Sequence, residues 1–440
     1  MDWLTALGIL AFAVGLLVSI ALHEIGHLIP AKLFGIKVTQ YMVGFGRTVW
    51  SRRRGETEYG YKAIPLGGYV RMVGMFPPEP GDDPRRLRKA STGPFQALVE
   101  DARRVAKEEI QAGDEDRVFY RKPWWKKLVV MLGGPAMNVL IAAVLAGGVL
   151  MIHGQAELRP VVSEVSACVI PVADGDRPCT ADDSPTPAAE AGFRAGDRLV
   201  SFDGVPIQSW SDAQDLIRAQ PAGPVDVVVE RDGRQVTLTP DLVTTERRAL
   251  GDEEDGFRPP TDQLETVGFL GVAPTQELVP QDLGGAAAWI GDFTAATAQA
   301  VVSIPERMVG VWDAAFGGGE REIDGPIGIV GAGRIGGEIA TLDVGVADRV
   351  ASFVLLLASF NMAIALFNLI PLLPLDGGHA AGAIWEGVKR GWAKVSGQPT
   401  PRPVDVAKAL PLAYGVATLL IGMSVLLLYA DIVNPVQLPG

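Results

Sequence analysis

The sequence predicts a polytopic α-helical membrane protein with four transmembrane helices, a β-hairpin between the first two spans, and a water-exposed β-rich domain between the second and third. Three observations predict this fold class. The 440 residues are 48% hydrophobic and only 20% charged, with a mean hydropathy of +0.22, whereas soluble chains carry about 25% charge. The deficit is local, because Trp3–Leu22, Leu128–Ile152, Ala351–Leu373 and Ala409–Ala430 contain no Asp, Glu, Lys or Arg. Each run is long enough as a helix to cross a hydrocarbon layer of about 30 Å. The charges that remain are also segregated. About 20 of the 39 Lys and Arg fall between Ala31 and Lys127, while 153–350 holds no lysine, about 14 arginines and about 33 acidic residues. A purely soluble enzyme, a disordered chain and a disulfide-built scaffold are excluded. The net charge of -12 argues against a nucleic-acid partner.

The first span, within 1–30, is preceded by Met1-Asp2 without a basic residue and followed by Leu22-His23-Glu24-Ile25-Gly26-His27. A signal peptide needs a basic start and a small-residue exit, so a retained span is expected. The positive-inside rule puts the basic 31–127 region in the cytoplasm and the acidic region and both termini outside, in a multi-pass protein of the cell membrane. Residues 36–75 alternate as two strands around the polar turn Ser51–Glu56 and close on Pro65-Leu66-Gly67-Gly68. This hairpin is either a small cytoplasmic element or one that re-enters the membrane, where irregular backbone is tolerated only against protein. Residues 76–123 read as a cytoplasmic loop and 126–152 as the second span.

The outer region divides in two. Across 157–275, Ala191-Gly192-Phe193-Arg194-Ala195-Gly196-Asp197 leads into a strand at Arg198–Phe202. A short helix follows at Ser211–Ala219, and Val225, Val227 and Val229 face Val236 and Leu238 across Asp232-Gly233, a hairpin signal. The pattern resembles a bacterial-type PDZ domain, which implies an extracytoplasmic module that adds a peptide or a trimmed ectodomain tail to a sheet edge. Cys168 and Cys179 are the only cysteines. In an oxidising compartment a bridge closing their short loop is expected over two free thiols. Within 283–340 an apolar series, Ile290, Phe293, Val301, Ile304, Met308, Val311 and Ala315, keeps helical spacing with the weakly polar Thr297 filling its one gap. It predicts an amphipathic helix with a bend at Pro305 that either lies on the membrane surface or packs on the PDZ-like domain. The third span is placed at 348–380, a cytoplasmic segment at 381–407, and the fourth span at 408–431.

Four histidines occur in the chain, and two of them form His23-Glu24-x-x-His27 at the end of the first span. Positions i and i+4 share a helix face, so both imidazoles can reach one metal ion, with Glu24 placed to take a proton from water. Ionisable groups inside an apolar helix cost about 3 kcal/mol each, so three of them together point to chemistry. A third ligand is expected at Asp376 in Leu375-Asp376-Gly377-Gly378-His379, because the first and third spans run the same way and end at the same depth. Pro371, Pro374 and the glycine pair interrupt the third helix where a wet cavity would admit water. His379 reads as a group of the following helix start, outside the ligand set.

Taken in order, His23-Glu24-x-x-His27, Gly44-Phe45-Gly46 to Gly67-Gly68-Tyr69-Val70, Gly134-Pro135-x-x-Asn138, Gly325-Pro326-Ile327-Gly328-Ile329 and Asn368-x-x-Pro371 to Asp376-Gly377-Gly378 cover nearly the whole chain. Together they resemble the site-2 protease family of intramembrane zinc metalloproteases, in its bacterial regulated-intramembrane-proteolysis branch and with actinobacterial wording. The resemblance implies one Zn2+ per chain on His23, His27 and Asp376, and Glu24 as general base. It implies a re-entrant hairpin whose Gly67 and Gly68 meet an unwound substrate, and substrate contacts from Asn368, Asn361 and Pro371. It implies single-pass membrane substrates, such as anti-sigma factors already cut outside, or remnant signal peptides. A non-catalytic PDZ scaffold has no use for Glu24 or Asp376. A zinc transporter would need ionisable groups in the second and fourth spans, which lack them.

Overall fold

A computed structural model of the chain describes residues 2–77, 110, 113–172, 175, 177–251, 260–319, 321 and 325–436. The chain divides into two units, one made of residues 1–149 and 290–440 and the other of 150–289. Most of the expected 76–123 loop lies outside the described residues.

The first unit contains four helices long and apolar enough to span a membrane: α1 (Trp3–Leu33), α2 (Trp124–Ile152), α7 (Val346–Asn368) and the segment Val406–Val433, of which Leu410–Val433 is α9. Their charge-free stretches are apolar on most sides, and packing there relies on small residues that let backbones approach. A Cβ on Gly26 of α1 would collide with the Gly133 carbonyl of α2, and one on Gly133 would collide with that of Gly26. Nearer its start, α1 meets α6 (Ile329–Ile339) in the same way, Gly8 lying against Gly336 and Gly337. Asn361 of α7 donates to Ser19 Oγ of α1 at 3.0 Å, and Phe12 meets Phe360 edge-on at 5.1 Å.

Helix α6 begins at Gly328, which offers no side chain as a cap. The Asp431 carboxylate of α9 takes that role, accepting from Gly328 N at 2.9 Å and Gly331 N at 2.8 Å, and pairing with Arg321 at 3.2 Å. An anion at a helix N-terminus satisfies free N–H groups and complements the helix dipole. Asp431 closes the fourth span just beyond its charge-free run, so a charge that ends a membrane helix also fixes a neighbour. Helix α5 (Leu283–Trp312) stays helical across Pro305.

Between α1 and α2, β1 (Val38–Arg54) and β2 (Thr57–Met72) pair antiparallel around the turn at 55–56. The sequence reading of one simple hairpin needs correction. Residues 58–61 pair with 50–53 on one side and with 40–43 on the other, and 40–43 pair again with 68–71. The hairpin thus folds back on itself into four segments in the order 68–72, 38–43, 57–61, 50–54, the two central ones side by side in the same direction and each outer one antiparallel to its neighbour. The bends fall at Gly44, Gly46 and Gly67, all with φ between 84° and 93°, where a side chain would be strained. The last segment, which carries Gly67 and Gly68, is an edge with a single partner strand among the described residues.

The second unit holds β3 (Gln155–Val165), α3 (Pro187–Ala191), β4 (Arg198–Phe202), β5 (Val205–Pro206), α4 (Trp210–Ala219), β6 (Gly223–Pro224), β7 (Val227–Arg231), β8 (Arg234–Leu238), β9 (Asp241–Leu250), β10 (Pro260–Phe269) and β11 (Val272–Val279). One sheet runs β11-β3-β4-β7-β8 with β5 beside β4, and a second runs β10-β9-β6. Val229 pairs with Val236 and Val227 with Leu238 across Asp232-Gly233, both turn residues having positive φ. The core gathers Phe193, Leu199, Phe202, Trp210, Ile217 and Val227. Ser209 and Asp212 cap α4 reciprocally. Cys168 and Cys179 are bonded to each other.

Asp197 is buried in this unit and accepts two hydrogen bonds from Arg231, both at 2.7 Å, and one from Arg194 N at 2.8 Å. Burial alone would raise its pKa, but the Arg231 and Arg194 bonds outweigh burial and hold it below the ordinary carboxylate value. A group depressed in the fold stabilises above its unfolded pKa and loses that contribution as pH falls through the folded one. Asp197→Asn is therefore expected to destabilise this unit, because the carboxylate that accepts from Arg231 and Arg194 is lost. Hydrogen exchange on β4 and β7 of the full chain checks this. Their amides should exchange faster in the variant at neutral pH, and the gap to wild type should close as the pH falls below about 4.

Candidate metal centre

The centre is built on the last third of α1. His23, Glu24 and His27 occupy one turn, and α1 continues unbroken to Leu33, so the three side chains are fixed by a helix rather than a loop. The partner comes from the other end of the chain. After α7 stops at Asn368, a short connection leads to α8 (Asp376–Val395), whose first residue is Asp376. A Cβ on Gly377 would collide with the Ile370 and Leu369 carbonyls, and one on Gly378 would lie 2.7 Å from Leu372 C. The two glycines let this turn close tightly enough to aim Asp376 at α1.

Asp376 Oδ2 lies 3.3 Å from His23 Nε2 and 3.2 Å from His27 Nε2, and the two Nε2 atoms are 3.3 Å apart. Among the described residues these are the three His and acidic groups whose ligand atoms all lie within 4.8 Å of one another. His27 Nδ1 donates to the Val130 carbonyl at 2.7 Å, which places the lone pair of its Nε2 on the side of the site. Gly134, one turn along α2, forms the floor. A Cβ there would lie 2.6 Å from His23 Nε2 and nearer still to His27 Nε2. Two neutral imidazoles and one carboxylate with a fourth side open are the donor set of a catalytic zinc. The cradle without a Cβ, at the point where both Nε2 atoms converge, shows that the residues fit such an ion.

Glu24 is buried and turns towards the sheet edge, so that a Cβ on Gly68 would stand 2.8 Å from its Cγ and 3.1 Å from its Oε1. The Tyr41 hydroxyl donates to the Ala21 carbonyl at 2.8 Å, tying the sheet to α1 beside this point. Around His23, His27 and Asp376 lies a cavity of about 480 Å³ that also touches Glu24, Gly67, Gly68, Asn368 and His379. Asn138 of α2 enters this wall as well, buried and with its Oδ1 unpartnered.

A model of peptidase family M50 matches residues 11–411. The zinc metalloprotease Rip1 of Mycobacterium tuberculosis is 36% identical over 436 residues, covering 98% of both chains. Rip1 of Mycolicibacterium smegmatis is 33% identical over 447 residues, again at 98% of both. The metalloprotease MmpA of Caulobacter vibrioides is 28% identical over 411 residues, covering 87% of this chain and 88% of its own. The chain belongs to peptidase family M50. It is a membrane-spanning zinc metalloprotease, and the family resemblance drawn from its motifs holds along its full length.

Of the site residues expected from sequence, this M50 chain brings His23, Glu24, His27, Asp376, Gly67, Gly68 and Asn368 to one cavity. Asn361 lies elsewhere, buried between α7 and α1, with its amide donating to Ser19 and to the Leu357 carbonyl. Pro371 is exposed in the connection before α8, and Pro374 takes the place at the cavity wall. Asn138 and Gly134 are parts of the centre that received no role from sequence. Their signal is spacing, since Val130, Gly134 and Asn138 fall four residues apart on the face of α2 that meets the site.

Proposed function

We propose that this protease hydrolyses peptide bonds within the transmembrane segments of single-pass proteins, after a first cut has trimmed their ectodomains. Membrane-bound anti-sigma factors are the favoured substrate class. The observation that carries the reading is the convergence of Asp376 on His23 and His27 of a spanning helix, one wall of the cavity being a strand edge with a single partner strand among the described residues. A helical substrate hides its carbonyls in its own hydrogen bonds and must unwind before it is cut. The edge that begins at Gly67-Gly68 can pair with the unwound stretch by strand addition, and Asn368 can hold its backbone from the opposite wall.

His23, His27 and Asp376 would hold one zinc ion. Zinc there supplies Lewis acidity that polarises the scissile carbonyl and makes water a stronger acid. Glu24 accepts the proton of the attacking water on its carboxylate and delivers it to the leaving amide nitrogen. Gly68 leaves the space that Glu24 needs to swing between the two. Unit 150–289 is read as an extracytoplasmic PDZ domain, supported by its strand–helix order and the type I′ turn at Asp232-Gly233. Its role would be to admit substrates with a trimmed ectodomain tail, with α1 and α7 then ending on the cytoplasmic side.

Full-length protein in liposomes, given one single-pass substrate with its ectodomain either intact or trimmed, tests this reading. Cleavage restricted to the trimmed form supports it, and equal cleavage of a soluble unstructured peptide with the spanning segment left intact overturns it. Gly67→Val would place a side chain at φ 93° and its Cβ 2.7 Å from the Phe45 ring. The strained edge should lower kcat/KM about tenfold or more with zinc content unchanged.

A further inference from the structure

Helix α8 has an exposed face that proteolysis does not use. Trp385, Val388, Trp392 and Val395 line up at helical spacing and are 58%, 54%, 70% and 86% exposed, and Ile384 extends the same stripe. A stripe of this size with two tryptophans is not a water-facing surface. The opposite face is fixed. Glu386 is buried and pairs with Lys127 of α2 at 2.7 Å, and Arg390 reaches the same carboxylate. A Cβ on Gly387 would lie 2.7 Å from the Trp124 ring, which shows how closely α8 is laid across the start of α2.

That placement says what covers the stripe. Trp124 opens a membrane span, and Trp125 beside it is exposed, stacked edge-on against Phe34 at the end of α1 at 5.5 Å. Lys126 sits over both rings, 5.1 Å from Phe34 and 5.4 Å from Trp125. Aromatic rings with lysines at the ends of spans mark the headgroup layer, and α8 continues this girdle. Residues 376–408 carry five basic residues, Lys389, Arg390, Lys394, Arg402 and Lys408, against the acids Asp376, Glu386 and Asp405. Glu386 is already buried in an ion pair. Lys389 borders the apolar stripe, as on helices that lie in the plane of an anionic interface.

We propose that α8 is an interfacial helix. Its Trp385–Val388–Trp392–Val395 face lies in the leaflet where α1 ends and α2 begins, with Lys389 and its basic neighbours drawn to anionic headgroups. The inference rests on the four spans and not on the proteolytic reading. Because Asp376 is the first residue of α8, the bilayer surface is a support of the ligand carboxylate.

The test uses the full chain in nanodiscs of pure phosphatidylcholine or of phosphatidylcholine mixed with phosphatidylglycerol. Cys168 and Cys179 are bonded to each other, so Val388→Cys, Val395→Cys and Lys394→Cys each offer one site for a spin label. Labels at 388 and 395 should collide with oxygen in preference to a water-soluble nickel chelate, and the label at 394 should show the reverse. Phosphatidylglycerol should move the first two deeper, and that shift should shrink about fivefold when Lys389 is replaced by Gln. Nickel-accessible labels at 388 and 395 in both bilayers would overturn the proposal. So would labels shielded from both probes, which would mean that another part of this chain or a second copy covers the face. None of these readings depends on cleavage, so failure of the proteolytic reading leaves them intact.

Discussion

Glu24→Gln is expected to reduce cleavage by about 10²- to 10⁴-fold, the span associated with loss of a general base, while leaving zinc content at the wild-type level. Both halves follow from the geometry. The three converging ligand atoms belong to His23, His27 and Asp376, and Glu24 is absent from that group while lining the same cavity. Glutamine keeps the shape that fits against Gly68 but cannot accept a proton. Turnover of a single-pass substrate, measured beside metal analysis of the same preparation, checks the result. A variant that loses zinc along with activity would make Glu24 a ligand, and one that still cleaves at the wild-type rate would remove it from the reaction.

Gly134→Ala should be nearly as damaging by a different route. The added methyl would lie 2.6 Å from His23 Nε2 and 2.7 Å from His23 Cε1, well inside contact distance, in the space where both imidazoles present their lone pairs. Alanine is otherwise favoured over glycine in a helix by about 1 kcal/mol, so folding is not the expected casualty. Zinc content should fall to a small fraction of wild type, with cleavage falling about 100-fold or more. Gly148→Ala in the same helix, where an added Cβ meets nothing within 4 Å, should leave both unchanged. Equal zinc in the two variants would contradict the role assigned to Gly134.

Gly134 is legible as one residue of Gly134-Pro135-x-x-Asn138, but its place beneath the two imidazoles is not. The candidate ligands on α1 are legible because residues four apart share a helix face, and Asp376 because two spans read as running the same way are expected to end at the same depth. The four spans are legible because a bilayer enforces a length and forbids charge. Contacts between elements far apart in sequence leave no such mark. Gly133 looks like an ordinary glycine of a membrane helix, and Gly134 like a motif residue without a role, until α1 is laid across them. Asp431 looks like the charge that ends a span, yet it caps α6 from 100 residues away. Lys127 and Glu386 sit 259 residues apart, and each alone reads as a solvated charge.

The β segment is an intermediate case. The alternation across 38–72 gives the strands, and the turn before Thr57 is plain. The second fold is not, because Gly44, Gly46 and Gly67 read equally well as loop closures and as bends within strands. That second fold is what creates the edge at Gly67–Met72. Asn361 and Asn368 differ by seven residues, two helical turns, and both were expected at the substrate. Asn368 lies at the end of α7, where the helix opens into the cavity, and Asn361 is spent on Ser19.

The most direct measurement is the position of the cut. Purified full-length protein with bound zinc would be incubated in liposomes with a single-pass substrate whose ectodomain has been trimmed, and the products identified by mass spectrometry. The account predicts one or a few hydrolysed bonds inside the membrane-spanning segment, absent with Glu24→Gln. Cleavage confined to the water-exposed flanks of the substrate would contradict it.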